Sequence, residues 1–420
     1  MLESLQFEGV GPAPKLGVEF RPRMNFLLGD NGLGKTFVLD TAWWALTRTW
    51  ARNIVLPHRP PAISTIKYKY TTKTAGSHEH TSEFDRSREE WPLRRGRPPI
   101  PGLVIYAQVD GGFSVWDPAR NYWKGEVADR QSAYLFSPQE VWDGLPLNEP
   151  VKFCNGLIAD WTNWQLENGE AFQQLVRVLR ALAPSPAETL EPGGLVKLSL
   201  SDSRRHPTIR MPYGEVPLVH AAAGIRRIAS LAYLLVWTWQ EHIESAKLRG
   251  EEPAREIVFL IDEIEGHLHP QWQRRIVPAL LDVMNAMTGD SGIPVQLIAA
   301  THSPLVLASV EPRFDEQQDG LFLLDLKDSK VSLREEPWAK QGDVVGWLVS
   351  ESFGLQQGRS VEAERAIEAA EAWMRDDKGS LPEGLDSQDA IDAELKRVLA
   401  GHDPFWPRWI VAAEKPGAAG

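Results

Sequence analysis

The stretch FLLGDNGLGKT, Phe26 to Thr36, constrains this chain more than any other. It fits the pattern G-x-x-x-x-G-K-[ST] from Gly29 to Thr36. Its glycines allow backbone N–H groups to turn inward onto an anion. A helix beginning right after them adds partial positive charge. Upstream, VEF and MNFLL are short apolar runs that read as strands. Downstream, FVLDTAWWALTRTW places Val38, Trp43, Leu46 and Trp50 at helical spacing. The reading is strand, glycine loop, helix: a cradle for phosphate groups. Asn31, Gly32, Gly34, Lys35 and Thr36 are its candidate nucleotide contacts. Lys35 is suited to the β- and γ-phosphates, and the Thr36 hydroxyl to Mg²⁺.

Two further strand ends carry chemistry. EIVFLIDEIEGHLHP holds five apolar residues and then Asp262 and Glu263. A continuous apolar run marks a buried parallel strand, and α/β sites lie at strand C-terminal ends. Asp262 is a candidate for the Mg²⁺ shell, and Glu263 for the base that orients and deprotonates water. VQLIAATHSP sets His302 beyond another such strand, in reach of a γ-phosphate or the attacking water. His267 and His269, at i and i+2 before Pro270, read as a loop ahead of a helix and suit a subunit contact better than a metal.

Together GDNGLGKT, LIDEIEGHLHP and ATHSP resemble the Walker A, Walker B and switch-histidine motifs of ABC-type ATPases, in the branch that holds SMC and OLD-family proteins. The layout is also similar to the compact ATPases of bacterial anti-phage systems, the Septu and retron-associated ATPases. The resemblance implies an α/β P-loop NTPase fold of ABC type, a mixed sheet flanked by helices. It implies ATP and Mg²⁺ as ligands, and a homodimer or higher homo-oligomer around two nucleotides. A signature motif of one subunit then faces the nucleotide of the other. The matching stretch is HAAAGI, His220 to Ile225, in which Gly224 is kept and Ala222 stands where serine is usual. Arg226 or Arg227 is available to add charge there. The departure bears on fast hydrolysis more than on dimerisation. The family also has a glutamine after a strand, contacting nucleotide and metal. Gln139 in YLFSPQEVW is the favoured match and Gln108 in VIYAQVDG the other.

The core is expected over 1–50 and 195–330, an inserted lobe with the glutamine loop over 51–194, and a helical C-terminal extension over 331–420. HEHTSEFDRSREEWPLRRGRPPIP reads as a mobile loop. LVKLSLSD and TIRMPYGEVPLVH read as strands, with a helix opening at Gly224.

Composition narrows the function. The formal net charge is −12, so the surface as a whole does not attract nucleic acid. Arg86, Arg88, Arg94, Arg95 and Arg97 form the one basic loop for phosphate contacts, with Glu89 and Glu90 beside them. The single cysteine, Cys154, and the absence of a long apolar run suit a cytoplasmic protein with no membrane partner. Seventeen tryptophans read as a bulky aromatic core. Asp325 and Asp328 do not have the spacing of a Toprim nuclease pair, so the nuclease or toxin is expected on a separate effector protein. A regulatory ATPase of a defence system is therefore the leading expectation. A DNA-repair or DNA-structuring ATPase of the SMC-like class is the alternative, and a transporter motor fits least.

Overall fold

The computed structural model describes all residues except 60–62, 73–75, 93–101, 122–131, 149–150, 186, 289–292 and 414–420. The chain divides into two compact units, Met1–Gly342 and Asp343–Gly420.

The first unit opens with the hairpin β1 (Leu2–Glu8) and β2 (Lys15–Glu19), then β3 (Met24–Gly29), the glycine loop and α1 (Lys35–Thr47). A second hairpin, β4 (Thr65–Thr72) and β5 (Gly76–Glu83), precedes β6 (Leu103–Ala107), β7 (Phe113–Trp116), β8 (Tyr134–Phe136) and α2 (Pro138–Asp143). The strands β9 (Leu145–Asn148) and β10 (Val151–Cys154) lead to α3 (Leu157–Glu167) and α4 (Glu170–Ala181). A meander of β11 (Glu191–Val196), β12 (His206–Met211) and β13 (Gly214–Pro217) runs into the long helix α5 (Ala223–Arg249). Then come β14 (Ile257–Ile261), α6 (Pro270–Gln273), α7 (Ile276–Thr288), β15 (Val295–Ala300) and α8 (Pro304–Val310). The hairpin β16 (Gly320–Lys327) and β17 (Lys330–Glu336) closes the unit.

Eight strands form the central sheet, in the order β17-β16-β3-β15-β14-β6-β7-β8. The five from β16 to β6 are mutually parallel, and β17, β7 and β8 extend the sheet antiparallel. The parallel strands β14 and β15 are buried along their whole length, which is why β14 reads as an unbroken apolar run and β15 as one broken only by Gln296, which bonds the Leu2 backbone. A second sheet, β2-β1-β4-β5, covers the other side of α1. That explains why α1 is buried on nearly all faces rather than along one stripe. Trp43, Trp44 and Trp91 lie in the core between the sheets, and Trp44 stacks on Trp50 at 5.2 Å between centroids.

Several sequence expectations shift. Residues 78–83, the start of the stretch read as a loop, belong to β5, a polar edge strand paired to β4 with only Ser82 buried. Edge strands carry polar residues on both faces, which hides their alternation. The strand expected at LVKLSLSD starts upstream at Glu191 and ends at Val196. The short helix α8 stands between β15 and β16, strands read as consecutive. β6, β7 and β8, assigned to the inserted lobe, belong to the central sheet because β6 pairs with β14. β17 pairs along its length with β16, so residues 331–336 sit with the core rather than with the C-terminal extension. In the basic loop, Arg88 pairs with Asp85 and Glu90, and Arg86 donates to the His58 carbonyl. Arg94, Arg95 and Arg97 lie outside the described residues.

The second unit holds α9 (Val344–Leu348), α10 (Val361–Met374), α11 (Gln388–Val398) and α12 (Trp406–Ala413). Its core packs alanines of α10 against Ile391, Leu395, Phe405 and Trp409.

Candidate functional site

The glycine loop joins β3 to α1 at the C-terminal edge of the parallel strands. Gly29 has φ 127° and Gly34 φ 105°. A Cβ on Gly29 would stand 2.2 Å from the Leu324 carbonyl oxygen, and one on Gly34 would stand 2.7 Å from Pro12. Neither position tolerates a side chain. Asn31 and Gly32 form the exposed tip of the loop, with open space above Gly32. The Lys35 ammonium is folded back onto the loop, donating to the carbonyls of Gly29 (2.7 Å) and Asp30 (3.0 Å). Burial lowers its pKa, and the charge of Asp262 opposes that.

β14 delivers Asp262 into this loop. The Thr36 hydroxyl donates to its carboxylate at 2.9 Å. Asp262 is 1% exposed; burial raises its pKa, against the bond from Thr36. Glu263 follows in the left-handed region, φ 49°, and is half-buried. His302 follows β15, the strand between those of Lys35 and Asp262. Burial is the main cause of its lowered pKa, with Lys35 adding to it, so the ring is neutral at pH 7. Its Nε2 is buried without a hydrogen-bond partner among the described residues.

Two residues that the sequence reading did not single out join the site. The Glu265 carboxylate accepts from the Thr301 hydroxyl (2.6 Å) and the His302 N–H (2.5 Å), fixing the histidine loop to the β14 loop. Arg52 brings Nη2 to 3.6 Å from the Asp262 carboxylate and lies over the Tyr106 ring. Neither has a local signature, since both act across the fold.

The two candidate glutamines lie in different places. β6 pairs with β14 in the register Ala107↔Ile261, which sets Gln108 beside Asp262. The Asp262 N–H donates to the Ala107 carbonyl at 2.9 Å. Gln108 is buried, and its amide donates to the Ser114 hydroxyl at 2.9 Å. Gln139 is exposed on α2, after β8 at the far edge of the sheet. Its Ser-Pro-Gln-Glu context is a helix capping box, with Ser137 and Glu140 bonding each other's backbone.

The signature stretch begins α5. Ala222 is its exposed N-cap and supplies no side-chain cap. Gly224 lies against the loop after β14: a Cβ there would be 2.9 Å from the His267 carbonyl oxygen. Arg226 is exposed, whereas Arg227 turns inward to backbone carbonyls beyond β6 and β14. His269 caps α6, as the proline after it suggested.

Three kinds of donor thus converge: a lysine with backbone N–H groups, a hydroxyl–carboxylate pair, and a carboxylate beside a neutral imidazole. The set suits an anion carrying several phosphates together with a hard divalent cation. Among the described residues, no helix is long and apolar enough to cross a membrane.

The chain is similar to several known proteins. The family model described as "AAA domain, putative AbiEii toxin, Type IV TA system" matches residues 24–308. The Septu protein PtuA of Bacillus thuringiensis is 22% identical over 379 residues, spanning 86% of this chain and 86% of that protein. The "Retron Vc95 probable ATPase" of Vibrio cholerae serotype O1 biovar El Tor is 38% identical over 84 residues, 20% of this chain and 14% of that protein. Among solved structures, the SMC head domain from Thermotoga maritima aligns over 80% of this chain and 99% of its own, at 14% identity and a TM-score of 0.42.

Proposed function

The chain belongs to this AAA-domain family, and we propose that it binds and hydrolyses ATP, dimerises around the nucleotide, and thereby regulates a separate effector protein in anti-phage defence. Its fold is that of a P-loop ATPase of ABC type, and its similarity to Septu PtuA and to a retron ATPase supports the defence setting.

The observation that carries the reading is the convergence of Lys35, Thr36, Asp262, Glu263 and His302 on neighbouring parallel strand ends. In this reading Lys35 exchanges its two loop carbonyls for the phosphate oxygens. Asn31, Gly32 and Gly34 present backbone N–H groups to them. Thr36, Asp262 and Gln108 would hold Mg²⁺, which supplies positive charge against the phosphates. Glu263 orients the attacking water and accepts its proton. Neutral His302 offers one ring nitrogen to that water or to the phosphate, while Glu265 holds its backbone. Ala222 and Gly224 open the helix that faces the partner's nucleotide, so the helix N-terminus acts there without a hydroxyl. The acidic helical unit from Asp343 onward is the surface offered to the effector.

Titration of a fluorescent ATP analogue into the parent chain and Lys35→Ala tests the cradle. Binding by the parent and none by the variant is expected, because the buried ammonium is the phosphates' main countercharge. Equal affinity would rule out the glycine loop as the phosphate cradle.

A further inference from the structure

The guanidinium of Arg227 stands between the two strand ends that carry the site. Arg227 follows Gly224 by three residues, in the first turns of α5. Its Nη1 donates to the carbonyls of Gln108 (3.3 Å) and Val109 (3.2 Å), just beyond β6. Its Nη2 donates to the carbonyls of Asp262 (3.3 Å) and Glu263 (3.4 Å), just beyond β14. A planar fork with fixed donors meets four carbonyls on two strands, which a point charge on a flexible stem does not.

Two features give this bridge a consequence. Glu263 adopts φ 49°, a region sparsely populated by residues with a side chain, so its surroundings must hold it there. Among the described residues, Arg227 is one of two donors to its carbonyl, the Gly266 N–H being the other. Between α5 and the strand ends lies a cavity of about 320 Å³, with Phe113, Trp142, Leu231 and Ile264 among its walls. Gly224 packs its backbone on the loop after β14, but farther along α5 the helix faces this cavity, and the guanidinium spans the gap.

We propose that Arg227 is a positioning residue: it ties the start of α5 to the backbone of Glu263, so that the carboxylate takes its working place only when α5 is seated. The inference rests on the hydrolytic role proposed for Glu263. It gives α5 a second task besides presenting Ala222 and Gly224, since this side chain passes a shift of the helix to the backbone of the base.

The test compares the full-length parent, Arg227→Met, Arg227→Lys, Glu263→Gln and the double variant Arg227→Met/Glu263→Gln. Fluorescent-ATP affinity, single-turnover hydrolysis and melting temperature are read for each. Arg227→Met should bind Mg-ATP within about threefold of the parent and hydrolyse it on the order of 30–100-fold more slowly, the scale of a misplaced catalytic group. Arg227→Lys, which keeps charge and fold, should also be slow, because its ammonium cannot span both strand ends. In the Glu263→Gln background, Arg227→Met should cause no further loss. Losses that multiply, affinity falling in step with turnover, or parent-like turnover by Arg227→Lys would overturn the inference. Parent-like turnover by Glu263→Gln would instead overturn the underlying role of Glu263.

Discussion

The Thr36 hydroxyl donates a 2.9 Å hydrogen bond to the Asp262 carboxylate, joining residues 226 positions apart. The bond closes the glycine loop onto the end of β14 and makes one site of two distant stretches. It also works against burial, which otherwise raises the Asp262 pKa. The remaining pieces are arranged around this pair: Lys35 on the loop, Gln108 one strand away, and Glu263 next in sequence.

That arrangement separates the two glutamines. Gln108→Ala should raise the Mg²⁺ concentration needed for half-maximal turnover by about tenfold, the scale of losing a group that orients a metal site. Gln139→Ala should change it little, because Gln139 is exposed on α2. A magnesium titration of hydrolysis decides between them, and the reverse ranking would restore Gln139.

Ala222 offers a test by gain. Serine at this N-cap can accept from an N–H of the first turn, which stabilises a helix start by about 1 kcal/mol. It also restores the hydroxyl that the resemblance expects near the partner's γ-phosphate. Ala222→Ser should therefore raise both the melting temperature and the turnover rate. A higher melting temperature with unchanged turnover, dimerisation being intact, would show that position 222 does not face the nucleotide.

Asp40 on α1 gives a pH signature. Burial pushes its carboxyl up to about 6, although Arg52 and the Tyr106 hydroxyl both favour the charged form. The folded chain thus keeps a proton that the unfolded chain, with a carboxyl near 3.8, has already lost. Stability attributable to this group falls as pH rises from about 4 to 6 and stays reduced above that. Two pKa units correspond to about 3 kcal/mol at most. Asp40→Asn should gain stability over the parent by up to that amount between pH 4 and pH 7. Urea unfolding at the two pH values measures it, and a difference independent of pH would contradict the assignment.

Much of this site is legible in sequence because its chemistry demands particular residues at strand ends. GDNGLGKT, LIDE and ATHS each follow a run that reads as a buried strand, and the sheet order brings the three together. What sequence hides is pairing across the fold. Gln108 is set beside Asp262 by the register of β6 on β14, whereas local context favours Gln139. Glu265 and Arg227 act through contacts 35 to 119 positions away in sequence, which leave no local pattern. β5 was missed because both of its faces are largely polar.

An ATPase that closes into a dimer around its nucleotide gains mass when ATP is bound but not hydrolysed. The light-scattering mass of Glu263→Gln with and without Mg-ATP measures this. Glutamine keeps the shape of the side chain but cannot take a proton from water, so bound ATP persists. Mg-ATP should double the mass, ADP should not, and one ATP should be retained per chain. An unchanged mass with ATP bound, or ATP consumed at the parent rate, would contradict that closure.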